Sequence, residues 1–83
     1  METQAIVEIM NPRSGGLVLR AADGSYVLAQ QVDAKPLRVA QVLTGGMDAM
    51  GVEIFTDPDT GTTYDFFIEA YGLSRDAALD SLH

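Results

Sequence analysis

The chain has 83 residues, no cysteine, and a single histidine at its last position. That size makes one domain whose core is marginal, and the composition excludes a disulfide staple and a cysteine-held zinc site. Twelve acidic against five basic residues give a net charge of −7, which keeps a small domain soluble and repels a phosphate backbone.

No apolar run approaches the ~20 residues that span a bilayer. Met1-Glu2-Thr3-Gln4 lacks the basic start and apolar stretch of a secretory signal. The expectation is therefore a cytoplasmic protein with no membrane segment. Residues 5–10 are apolar, β-branched and interrupted by one Glu, which predicts a first strand. Asn11-Pro12-Arg13-Ser14-Gly15-Gly16 is a turn, since Pro cannot donate to a ladder and Gly tolerates positive φ. Residues 16–21 and 25–31 form two further strands around Asp23-Gly24. That dipeptide predicts a type I′ hairpin turn with both central residues at φ > 0. After a polar connection ended by Pro36, strands are predicted over 39–44, 52–56 and 62–71, separated by a Gly-rich loop and an Asp-rich turn. Ser74 is a good N-cap and Asp76 suits a first helical turn, so a short helix over 74–82 closes the chain. Ala78, Leu79 and Leu82 fall on one face of it. Val7, Leu17, Leu19, Val27, Val39, Phe66 and Ile68 are the predicted core.

Five or six short strands and one small helix predict an all-β fold, a small five- to six-stranded antiparallel barrel. Closure into a barrel removes the two exposed edges of so small a sheet. The candidates are an OB-type barrel and an SH3-like one.

The first three strands carry a resemblance. AIVEIMNPRSGGLVL followed by DGSYVLAQ resembles the cold-shock domain family over residues 5–30. With Asn11 on the family's Asn, Val7 falls on its Val, Gly15 on the first Gly of its Lys-Gly-Phe-Gly-Phe run and Leu19 on its Ile. Asp23-Gly24 falls on its Asp-Gly and Val27 on the Val that follows. The resemblance implies an OB-type fold. It also implies a surface that stacks single-stranded bases on aromatics over basic charge. Here the aromatic and His positions of that surface are Ile9, Met10, Gly16, Val18, Leu28 and Gln30, and the two Lys positions are Glu8 and Ser14. The scaffold is matched while the binding face is not.

The aromatics lie instead in the C-terminal half. Tyr64, Phe66 and Ile68 share one face of a strand, and Phe67 and Tyr71 share the other. One face then belongs to the core. The other either covers the helix or stays exposed as a binding surface. Met10, Met47 and Met50 are either core fillers or an adaptable apolar surface, with Met47 and Met50 the better placed for contact in their Gly-bounded loop. DPDTGTTYD has Gly61 at position 5 counted from Asp57, and Ile68 at position 12. A calcium-binding EF-hand loop needs Gly at position 6 and Glu at position 12, so the stretch reads as a hairpin turn. The helix follows a strand, so it does not form a helix-turn-helix.

No nucleophile with a partnered base is visible, and the carboxylate pairs lie in exposed turns. The expectation is a protein without catalytic activity, metal or cofactor, acting as a protein-interaction or accessory module. Its candidate contact residues are Met47, Met50, Phe67 and Tyr71, with another protein as partner. The competing reading is a weak single-stranded nucleic-acid binder using Arg13, Arg20 and Arg38.

Overall fold

The computed structural model describes residues 3–11, 13–46 and 50–82. Its strands are β1 (Thr3–Asn11), β2 (Gly16–Ala21), β3 (Tyr26–Gln31), β4 (Val42–Gly45), β5 (Gly51–Thr56) and β6 (Thr63–Leu73), followed by helix α1 (Arg75–Ser81). They close into an antiparallel barrel in the order β1-β2-β3-β6-β5-β4, a small barrel of OB type with a short C-terminal helix. Two three-stranded meanders, β1–β3 and β4–β6, are joined by the β1–β4 and β3–β6 pairings. Pro12, Met47 and His83 lie outside the described residues. No helix is long and apolar enough to cross a membrane among the described residues.

The barrel interior follows from the period-2 alternation of side chains along a strand. Val7, Leu17, Leu19, Val27, Leu43, Phe55, Phe66 and Ile68 are fully buried there. The Phe55 ring meets Phe66 edge-on at 5.2 Å, and Tyr64 stacks on Phe66 at 6.4 Å. Six of the seven predicted core residues are buried. The exception is Val39, which is exposed. The chain turns at Val39–Ala40, where Ala40 takes φ 73° and donates its N–H to the Val7 carbonyl at 2.7 Å. The fourth strand therefore starts at Val42 rather than 39, and Leu37 packs against the core from the connection.

The β2–β3 hairpin also departs from expectation. Only Gly24 has positive φ, at 87°, so the turn is not type I′. Gly24 N–H bonds to the Ala21 carbonyl, Ala21 N–H bonds to the Ser25 carbonyl, and Asp23 Oδ1 accepts the Ser25 N–H at 2.9 Å. This is a three-residue loop with a left-handed glycine at its end, and the Asp side chain fixes it locally.

Candidate interaction surface

Helix α1 occupies the outer face of β2 and β3. Ala78, fully buried, sits on Val18 and Leu28, with Tyr26, Ala70, Leu73 and Leu82 around them. The helix starts where the Ser74 hydroxyl accepts the Ala77 N–H at 3.2 Å, and Asp76 lies in its first turn. Leu79, expected on the packing face, is only half-buried, and Ala78 and Leu82 carry the contact. Val18 and Leu28 are two of the positions matched to base-stacking aromatics, and the helix lies over both.

The three arginines of the nucleic-acid reading are not brought together. Arg13 lies in the β1–β2 turn, whereas Arg20 lies near the other end of β2. The four residue steps from Gly16 to Arg20 alone span roughly 13 Å. Arg20 faces Glu8, with Nε 3.5 Å from the carboxylate. Arg38 lies in the β3–β4 connection, where its charge acts on Asp57.

That connection, residues 32–41, is strapped to one end of the barrel by polar side chains. Gln41, 3% exposed, donates its amide to the Asp57 carboxylate at 2.8 Å and to the Tyr64 hydroxyl at 3.2 Å. Its side-chain carbonyl accepts the Arg38 N–H, and the Tyr64 hydroxyl bonds to the Pro36 carbonyl. The Gln41 amide and the Asp59 N–H hold the Asp57 carboxyl below its ordinary value despite burial, aided by the Thr60 N–H and Arg38. For Asp33, burial pushes the pKa up. The Asp65 N–H, the Gln31 amide, and the N–H and charge of Lys35 outweigh it, and the net shift is downward. Lys35 Nζ bonds to the Thr63 carbonyl at 2.6 Å. An open pocket of about 250 Å³ lies beside this strap, lined by Met10, Gly16, Leu17, Gln31, Lys35 and Leu37 among others. Residues Asp57 to Thr62 form a hairpin turn, closed by Gly61 N–H on the Asp57 carbonyl and by Asp57 N–H on the Thr62 carbonyl. Asp33 in the strap and Asp57 at its anchor on the barrel thus both have structural partners that favour the charged carboxylate.

The outer face of β3, β6 and β5 is different in character. Phe55 pairs with Tyr64 and points inward, so the period-2 rule turns Val52 and Ile54 outward. They are 64% and 61% exposed, and Phe67 is 46% exposed. Val52 is directly opposite Phe67, and Phe67 is opposite Gln30. One row further, Ile54 is opposite Asp65, and Val32, also exposed, donates its N–H to the Asp65 carbonyl at 2.8 Å. Val32, Val52, Ile54 and Phe67 therefore surround Asp65. Exposed large apolar side chains that neighbour one another in this way, unlike single scattered ones, mark surfaces that are often functional.

The residues singled out in the sequence fall unevenly on this face. Phe67 is part of it. Met50, 65% exposed rather than a core filler, immediately precedes β5. Tyr71 is also exposed. However, the β3–β6 register shifts between Ala29 and Leu28 and again before Tyr26, so the simple alternation linking residues 67 and 71 is broken. Neither aromatic belongs to the cluster under the helix. Val32, Val52, Ile54 and Asp65 were not legible as site residues. In VEIFT, an inward Phe55 already implies outward Val52 and Ile54, and that was the available signal.

Comparison of the chain with protein-family models, with curated proteins and with solved structures finds no match.

Proposed function

We propose that this barrel is a cytoplasmic, non-catalytic protein-interaction module that docks another protein on the outer face of β3, β6 and β5. The observation that carries this reading is the exposure of Val52, Ile54 and Phe67 on the paired strands β5 and β6, with Val32 joined to them through its N–H on the Asp65 carbonyl. A side chain displayed on a strand is held in place, so the surface is preorganised, and ordering it on binding costs little. Lack of cysteine suits a reducing compartment. The resemblance of residues 5–30 to the cold-shock type fits a scaffold whose former stacking face has been taken over by a helix. Scattered bases and the coverage of Val18 and Leu28 support a protein partner over a single-stranded nucleic acid.

The test is photo-cross-linking in cells, with a photoreactive residue placed at position 52 or, in a second variant, at position 13. Position 52 should give a discrete protein adduct that disappears when Ile54→Ser and Phe67→Ser are added. Adducts to nucleic acid, or adducts from position 13 with none from position 52, would overturn the proposal.

A further inference from the structure

We infer that the segment docked on this face presents a Lys or Arg flanked by apolar side chains, with the cation seated on Asp65. The inference rests on the docking role proposed above and names the chemistry of its partner. Asp65 sits half-buried at the centre of the apolar patch, between Ile54 on one side and Val32 on the other. Its backbone N–H is taken by Asp33 at 2.8 Å. Its carboxylate makes no hydrogen bond or ion pair among the described residues.

A carboxylate ringed by exposed aliphatic and aromatic groups is suited to a cation with an apolar stem. Such a side chain covers Val32, Ile54 and Phe67 with its methylenes while its head reaches the carboxylate. The Phe67 ring adds a face on which a guanidinium can rest. Along β5, β6 and the turn between them the charge has the same sign: residues 51–73 hold no Lys or Arg, while Glu53, Asp57, Asp59, Asp65 and Glu69 supply five acids, and the neighbouring cation Lys35 is engaged by the Thr63 carbonyl and by Asp33. A second copy of this chain is a poor occupant of its own face, since a symmetric contact brings Asp65 towards Asp65 in an acidic surround. A partner with basic and apolar residues interleaved satisfies both the patch and its central charge.

Selection from a phage-displayed library of random short peptides tests this, with the Val52→Ser/Ile54→Ser/Phe67→Ser variant as counter-selection. Peptides enriched on the native chain should carry Lys or Arg between apolar residues. They should bind Asp65→Asn about tenfold more weakly, and Asp65→Lys should select acidic residues instead. Asp65→Asn keeps the backbone bond to Asp33, and circular dichroism checks that it folds. Face-dependent peptides with no excess of bases, bound equally by Asp65→Asn, would overturn the charge inference and leave the docking role standing. Failure to enrich any peptide over the triple variant would remove the docking role and the inference with it. A dimer of the native chain in sedimentation, lost in the triple variant, would assign the face to a second copy and overturn the inference.

Discussion

Gly45 ends β4 against the ring of Phe55, and replacing it with Ala probes how tightly the barrel is closed. A Cβ at Gly45 would lie 2.9 Å, 3.0 Å and 3.1 Å from three carbons of that ring. The ring is fully buried and held edge-on against Phe66 at 5.2 Å, so it has little room to retreat. Gly45 is not among the positive-φ glycines, so Ala adopts its backbone without strain. On backbone grounds alone the substitution stabilises by ~0.4–1 kcal/mol, because the unfolded chain loses freedom. Overpacking opposes this with ~1–3 kcal/mol. The overlap wins, and Gly45→Ala is expected to destabilise by about 1–2 kcal/mol, lowering the thermal midpoint by roughly 4–16 °C at ~4–8 °C per kcal/mol. Thermal melts followed by far-ultraviolet circular dichroism measure it. In a Phe55→Leu background, where the ring is gone, the same Gly45→Ala change should be neutral or stabilising. A rise in midpoint for Gly45→Ala alone, or an equal cost in both backgrounds, would refute the close approach.

The helix and the polar strap give two further expectations. Ser74→Ala should cost on the order of 1 kcal/mol by removing the cap on the Ala77 N–H. Ala78→Asp, which places a charge between Val18 and Leu28, should undock the helix and raise binding of a hydrophobic dye, whereas Leu79→Ala should do neither. Asp33 and Asp57 have folded-state pKa values below the ordinary 3.8. Their contribution is therefore fully present above that value and is lost as pH falls through it towards the lowered values. Urea midpoints should be flat near neutrality and fall in that acid range, and Asp33→Asn with Asp57→Asn should lower the neutral midpoint and flatten the acid limb.

Much of the barrel was legible because its strands obey local rules. Alternating β-branched residues, the Ser-Gly-Gly and Asp-Gly turns and the Ser74 cap placed six strands and the helix within a few residues of their positions. Two of the failures share one cause, which is that tertiary structure reset the phase of the alternation. Ala40 adopts a left-handed conformation that no residue type there signals, and this moved Val39 out of the core. The extra residues in β6 opposite β3 decoupled Tyr71 from Phe67. Within the patch only Phe67 was legible as a contact residue; Met50, also exposed, lies just before β5. Recognising Val32, Val52, Ile54 and Asp65 as one surface needs the β3–β6–β5 register, which joins residues far apart in the chain. The loss of stacking residues at positions 18 and 28 was visible in the sequence. That Ala78 covers them was not, because the packing of a two-turn helix depends on where the sheet presents an apolar face.

The docking face is tested most directly by amide chemical-shift mapping of the isotope-labelled chain with a selected basic–apolar peptide. Perturbations centred on Val32, Val52, Ile54, Asp65 and Phe67, with the β2 and α1 amides unmoved, are the predicted result. Perturbations centred on Arg13, Arg20 and Arg38, or on the pocket beside Lys35 and Leu37, would contradict the account.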